Sequence, residues 1–258
     1  MGKKNIMNQK LSLLMVCLVL TLTGCKKTGA EGNMPESSLE EEAGSAAIEP
    51  EIPLTLENPE EVNIAGMLQE ILAGTAVQLN AGSVFGSGVV LVLNEEEAVI
   101  VTARHVVEQS DEVSILFSDG SSVQSTDIRK SDCADAAFIR VSTAGLGEDA
   151  INACRQVIVN KEEFDALAED GGIVVMGSVD GTASNAYEGI LLNPWVYMED
   201  FEQYMMLART WAFPGMSGGG VFDQKGYFIG ILCGGNDENE IAVLPLSIIL
   251  SEYEKYMK

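Results

Sequence analysis

Three short stretches carry side chains able to do nucleophilic chemistry. The first is Gly86-Ser87-Gly88-Val89-Val90-Leu91, followed after an acidic turn by Val99-Ile100-Val101-Thr102-Ala103-Arg104-His105-Val106-Val107. Its histidine is the only one in the chain and is expected to close a strand, where an imidazole is held rigidly yet faces a cleft. The second, Asp132-Cys133-Ala134-Asp135 before the apolar run Ala136 to Val141, sets two candidate carboxylates at the head of a buried strand. The third is Pro214-Gly215-Met216-Ser217-Gly218-Gly219-Gly220-Val221-Phe222-Asp223. A serine hydroxyl becomes a useful nucleophile when an imidazole takes its proton and a carboxylate orients that imidazole. Flanking glycines let backbone N–H groups converge on a developing oxyanion. Taken singly, each stretch also reads as ordinary structure: a packed histidine, a turn aspartate, a flexible glycine loop. Their combination in one chain is what points to acyl-transfer chemistry.

The elements that must position these residues are mostly short strands. Apolar runs bounded by turn chemistry (Asp119-Gly120, Gly171-Gly172, Asp180-Gly181, Lys225-Gly226) predict strands at Ala76–Leu79, Gly88–Leu93, Ala98–Thr102, Val113–Phe117, Ala137–Val141 and Val157–Val159. Further strands are expected at Ile173–Gly177, Gly189–Leu192, Tyr204–Ala208, Gly220–Phe222, Tyr227–Leu232 and Ile241–Val243. Helical spacing appears at Asn63 to Leu72, stopping at Gly74, and after Pro245. Asn160, with Glu163 three residues on, predicts a capped helix over Lys161–Glu169. Many short strands with few helices indicate β-barrels or a sandwich and exclude an alternating βαβ fold.

The motifs resemble those of the trypsin/chymotrypsin-like serine peptidases, and within them the bacterial Deg-type branch. Thr-Ala-Arg-His, Asp-Ala-Ala-Phe-Ile and Gly-Met-Ser-Gly-Gly match that family's three signatures in its His, Asp, Ser order. The resemblance covers about residues 62 to 258. It implies an all-β fold of two six-stranded antiparallel β-barrels, chymotrypsin-like, with a short C-terminal helix. The expected organisation is a protease domain over 62–258, with a first barrel at about 75–150, a second at about 155–245 and the helix at about 246–258. The resemblance makes His105 the general base and acid, Asp135 its orienting carboxylate and Ser217 the nucleophile. Backbone N–H groups of Gly215 and Ser217 would form the oxyanion hole. Asp132 is the rival carboxylate; Asp135 is preferred because Ala137 matches the family's alanine two residues on. Trp211, Gly234 and Gly235 fall where relatives line the primary substrate pocket. No acidic residue occupies its floor position, so a small or medium apolar side chain is expected there rather than Lys or Arg.

Two positions depart from the digestive relatives. Val106 stands where they carry a half-cystine, and Met216 where they carry an aspartate that pairs with a freshly cut N-terminus. Activation by such a cleavage is therefore excluded, and the oxyanion hole needs another source of order. Forty-one residues follow Ser217, too few for the appended peptide-binding domain of many Deg-type enzymes. The strand carrying Cys233 is expected, by the resemblance, to run beside the carboxylate, near Cys133.

Composition sets the outer limits. The 258 residues hold 15 Lys+Arg against 39 Asp+Glu, a net charge of −24, which repels phosphate backbones and excludes nucleic acid as a partner. One histidine and five scattered cysteines leave little for a metal site, and no cofactor is expected. Lys3, Lys4 and Lys10 precede the uncharged run Leu11–Thr23, too short to span a bilayer but suited to a secretory signal. It ends in Leu22-Thr23-Gly24-Cys25, which resembles a bacterial lipobox, so residues 1–24 are expected to be removed and Cys25 acylated. Removal leaves twelve basic against 39 acidic residues, a net −27, and the acyl chains rather than the body must hold the bilayer. Residues 25–61, with ten glutamates and few large apolar side chains, read as a solvated tether. The expectation is a membrane-anchored extracytoplasmic serine endopeptidase acting on proteins or peptides. A trypsin-like lipoprotein without activity, serving as a binding module, is the alternative.

Overall fold

The computed structural model describes residues 63–179, 181 and 184–257. The expected signal sequence over residues 1–24, Cys25 and the expected tether lie outside the described residues. The described chain runs through α1 (Ile64–Leu72), β1 (Ala76–Ala81), β2 (Val84–Leu93), β3 (Glu97–Thr102), α2 (Arg104–Val107), β4 (Val113–Leu116), β5 (Ser122–Ser125), β6 (Ile128–Lys130) and β7 (Ala137–Ser142). It continues through α3 (Glu148–Ala153), α4 (Lys161–Asp165), β8 (Gly172–Ser178), β9 (Ser184–Met198), β10 (Gln203–Arg209), β11 (Gly220–Asp223), β12 (Phe228–Gly235), β13 (Glu240–Pro245) and α5 (Leu246–Met257).

The strands form two antiparallel sheets. The first has seven strands in the order β5-β4-β1-β2-β3-β7-β6, and the second is a closed six-stranded barrel, β10-β13-β12-β11-β8-β9. The first sheet has one strand more than expected because residues 122–130, read as loop, contribute the short strands β5 and β6. It curls to near closure: Ser125 Oγ donates to the Arg140 carbonyl on β7, and Arg140 N–H donates to the Asp127 carbonyl at 3.0 Å. The fold is thus all-β and chymotrypsin-like, with one closed and one nearly closed barrel and a C-terminal helix.

Burial explains why several strands look continuously apolar. Along β8, Ile173 and Val175 enter the interior of the second barrel with Val221, Ile229 and Val243. Val174 and Met176 of the same strand join the larger core shared with Leu79, Ile100 and Phe138 of the first sheet. Both faces are covered, so no polar alternation survives in the sequence. Helix α5 buries Leu246 and Ile249, and its Tyr253 ring meets Phe138 edge-on at 5.8 Å.

Several local expectations are corrected. His105 does not close a strand; β3 ends at Thr102 and His105 lies on the single helical turn α2. Residues 157–159 form no strand, although Val157 N–H donates to Val90 O (3.0 Å) and Ile158 O accepts from Phe228 N–H (2.9 Å), tying the connection to both barrels. The Lys161 helix ends at Asp165, with Asn160 Oδ1 accepting from the N–H groups of Glu162 and Glu163. Glu163 pairs with Lys225 at 2.6 Å across to the second barrel. Residues 184–198, of which only Gly189–Leu192 was expected as strand, make one 15-residue strand. Among the described residues, no helix is long and apolar enough to cross a membrane.

Candidate active site

His105 and Asp135 meet through the first sheet. Strands β3 and β7 are antiparallel neighbours, with Thr102 opposite Ala137, so the residues just past one strand end and just before the other come together. His105 Nδ1 lies 2.8 Å from Asp135 Oδ2, and His105 backbone N–H donates to Asp135 Oδ1 at 3.0 Å. A carboxylate only accepts, so Nδ1 carries the proton and Nε2 is left as the basic nitrogen. The Asp135 side chain is more buried than the imidazole. Burial raises its carboxyl, but the side-chain hydrogen bond, charge and backbone N–H of His105, together with the Cys233 thiol, outweigh burial and hold it below the ordinary value of 3.8.

The loop before Asp135 is braced from the far end of the chain. Ser131 Oγ accepts from the N–H groups of Cys133 (3.1 Å) and Ala134 (3.0 Å) and donates to the Glu252 carboxylate on α5. Arg104, beside the histidine, donates to Ser131 O at 2.9 Å. Asp132 is turned away: its carboxylate accepts from Tyr256 Oη at 3.0 Å. Neither bracing residue of α5 was expected from sequence, because nothing local ties residue 252 to residue 131.

Ser217 sits at the junction of the barrels. Its carbonyl accepts from Ser87 N–H on β2 at 2.8 Å. Gly218, at φ +81°, presses so closely on the His105 side that a Cβ there would lie 2.2 Å from Thr102 Oγ1 and 2.3 Å from Ser87 O. Gly215 adopts φ +92°, and Met216 between them is fully buried in the second barrel. The loop is tied by hydrogen bonds from Met216 N–H to Phe213 O (3.1 Å), Gly219 N–H to Met216 O (2.9 Å) and Gly218 N–H to Leu232 O (2.8 Å). The Ser217 loop is therefore seated on β2 and on the segment Thr102–Ala103, which leads directly into His105.

Of the expected pocket residues, Gly235 at the end of β12 is placed against Ala212, next in the chain to Trp211; a Cβ on the glycine would be 3.7 Å from the alanine's. Trp211 is 59% exposed and stacks on Phe213, with ring centroids 6.5 Å apart. Phe213 also meets Tyr187 of β9 at 5.3 Å, so an aromatic shelf leads to Pro214 and Gly215. Phe213 and Tyr187 were not singled out from sequence; Tyr187 lies 30 residues before Ser217.

The cysteines lie apart in role. Cys133, Cys154 and Cys233 are all free. Cys133 is exposed and receives the Lys255 ammonium at 3.6 Å, while buried Cys233 donates to Asp135 O at 3.6 Å. The strand of Cys233 does run beside the carboxylate, but Cys133 points to the surface and does not pair with it.

A family model described as the trypsin-like peptidase domain matches residues 86–231. An HtrA-like serine protease of Staphylococcus aureus is 25% identical over 181 residues; the match covers 67% of this chain and 23% of that protein. The chain thus spans about a quarter of the length of such curated relatives. Among solved structures, the inactive form of the Rv3671c protease of M. tuberculosis superposes with a TM-score of 0.61 at 16% identity, covering 77% of this chain and 93% of that one. The HtrA-type protease AlgW, solved with a tripeptide, gives 0.63 at 17% identity, covering 74% and 62%. The protein belongs to the trypsin-like peptidase family.

Proposed function

We propose that this chain is a membrane-tethered serine endopeptidase whose catalytic residues are His105, Asp135 and Ser217. In this reading Ser217 Oγ attacks the scissile carbonyl carbon as His105 Nε2 takes its proton. The C=O π electrons move to oxygen, and the resulting oxyanion is stabilised by the N–H groups of Gly215 and Ser217. His105 then gives the proton to the leaving amine as the C–N bond breaks, leaving an acyl-Ser217 ester. Water, deprotonated by the same imidazole, attacks the ester carbon; the acyl C–Oγ bond then breaks as the imidazolium returns the proton to Ser217 Oγ, and the acid is released. Asp135 keeps Nδ1 protonated and stabilises the imidazolium formed twice in the cycle.

The observation that carries this reading is the two-point hydrogen bonding of His105 to Asp135 beside a glycine-flanked serine. Substrates are proteins or peptides. The shelf of Trp211, Phe213 and Tyr187 favours apolar side chains near the scissile bond, and the net charge of −27 left after removal of residues 1–24 steers basic segments toward the protein. Cys25 carries the acyl chains that hold the domain on the outer face of a bacterial membrane.

A fluorophosphonate probe tests the chemistry: it should label the wild-type protein and not Ser217→Ala. Folded wild-type protein that takes no label would overturn the proposal. Labelled palmitate should enter the wild-type chain and not Cys25→Ala; equal incorporation would remove the tether from this reading.

A further inference from the structure

We infer that Ser87 is a positioning residue that sets the oxyanion-binding stretch Gly215–Ser217 in its working conformation, an inference that rests on the serine-peptidase reading above. Ser87 lies on β2, in the opposite barrel from the nucleophile, and is 1% exposed. Each of its polar groups has a partner at the barrel junction. Its N–H donates to Ser217 O at 2.8 Å and its Oγ donates to Gly215 O at 2.8 Å. The same Oγ accepts from Ser178 N–H at the end of β8 at 2.8 Å, and its carbonyl accepts from Thr102 Oγ1 at 2.7 Å.

One residue therefore grips the carbonyls two positions before and directly after the Ser217 N–H. Fixing a carbonyl fixes the plane of its peptide, so the 215–216 and 217–218 peptides, on either side of the one that carries the Ser217 N–H, are both set. Gly215, at φ +92°, can rotate with little steric cost, so its own backbone does not select the orientation in which its N–H faces the oxyanion. By holding the 215–216 peptide, the Ser87 hydroxyl restrains Gly215 from its carbonyl side. Relatives that order this loop with a buried aspartate and a new N-terminus have no counterpart here, because residue 216 is methionine. Ser87 Oγ and the buried Met216 side chain both tie this loop to the end of β8, at Ser178 and Gly177. Thr102, three residues before the histidine, completes the link by fixing the Ser87 peptide.

The test compares wild type, Ser87→Ala and Ser87→Cys, the last filling the same space with a weak donor so that folding is preserved. With a fluorogenic peptide, kcat should fall about 10- to 100-fold in Ser87→Ala, a large part of the effect of deleting an oxyanion donor, with KM changed by less than about threefold. Ser87→Cys should fall between. Affinity for a peptide boronate, which forms a tetrahedral adduct, should drop by the same factor as kcat. Amide hydrogen exchange in residues 213–219 should quicken in Ser87→Ala. Wild-type kcat in either variant, or a kcat loss with boronate affinity intact, would overturn the inference. Wild-type protein inert to both substrate and boronate would count against the peptidase reading instead. The exchange measurement would then decide Ser87 alone, with unchanged exchange rejecting it.

Discussion

His105 holds Asp135 twice, through ring Nδ1 at 2.8 Å and through its own backbone N–H at 3.0 Å. The second bond makes the carboxylate's position independent of the ring's rotamer, so the pair is set before any substrate arrives. Asp135→Asn should therefore keep the fold but present an amide N–H to Nδ1, favouring the wrong tautomer, and lower kcat by about 10⁴-fold. Asp132→Asn, whose side chain serves only Tyr256 at the surface, should change kcat less than about twofold, within the noise of exposed polar substitutions. Peptide hydrolysis by both variants decides between the two carboxylates.

Met216 is fully buried in the second barrel, with its Cα and Cβ packed where Gly177 carries no side chain. Met216→Asp installs the residue of the digestive relatives in a site with no cation among its core neighbours. The uncompensated charge should cost about 3–5 kcal/mol of stability, whereas Met216→Leu should cost less than about 1.5 kcal/mol. Urea unfolding at neutral pH measures both, and equal midpoints for the two variants would contradict the packing argument.

Gly218 couples a left-handed backbone to a close approach. At Gly218→Ala the new Cβ meets Thr102 Oγ1 at 2.2 Å and Ser87 O at 2.3 Å, so the nucleophile loop must move away from the His105 side. Strain at φ +81° adds to the clash, and a loss of about 2–4 kcal/mol is expected, with near-complete loss of fluorophosphonate labelling. Labelling at the wild-type rate would show that the two barrels tolerate separation at this point.

Stability should fall at both ends of the pH scale. The Asp135 carboxyl, held below 3.8 in the folded state, contributes stability that is present above that value and is lost as pH falls toward its folded pKa. On the alkaline side, burial pushes Cys233 well above 9.0 and Cys154 up to about 11. The unfolded chain releases these protons from about pH 9 while the folded one keeps them, so stability declines as pH rises past 9. Thermal unfolding from pH 3 to 11 should show both limbs, and Cys154→Ala with Cys233→Ser should flatten the alkaline one. A wild-type midpoint constant between pH 9 and 11 would refute the thiol contribution.

The two helices flanking the barrels were legible because each has local signals: Asn63 caps α1 by accepting from Gly66 N–H, and Pro245 immediately precedes α5. Strands with a clean apolar run, such as Ala137–Ser142, were legible for the same reason. The long strand β9 was read only at Gly189–Leu192, since its mixed half-exposed pattern carries little apolar contrast. The His105 turn was read as strand end because Val99–Val107 is apolar throughout but for Thr102 and the Arg104-His105 pair. Only the break in pairing after Thr102 reveals the helical turn.

By itself the sequence determined the three chemical motifs, their order and the all-β class, since these depend on residue type and on short-range spacing. The sequence preferred Asp135 over Asp132 by resemblance alone; tertiary structure supplied the physical reason, since the two are three residues apart and differ in what the β3–β7 pairing and α5 bring to them. Tertiary structure alone decided that Ser87, 130 residues from Ser217, shares a hydrogen bond with it, and that Met216 fills a core. Contacts between barrels join positions with no local relationship, so no period or spacing along the chain records them.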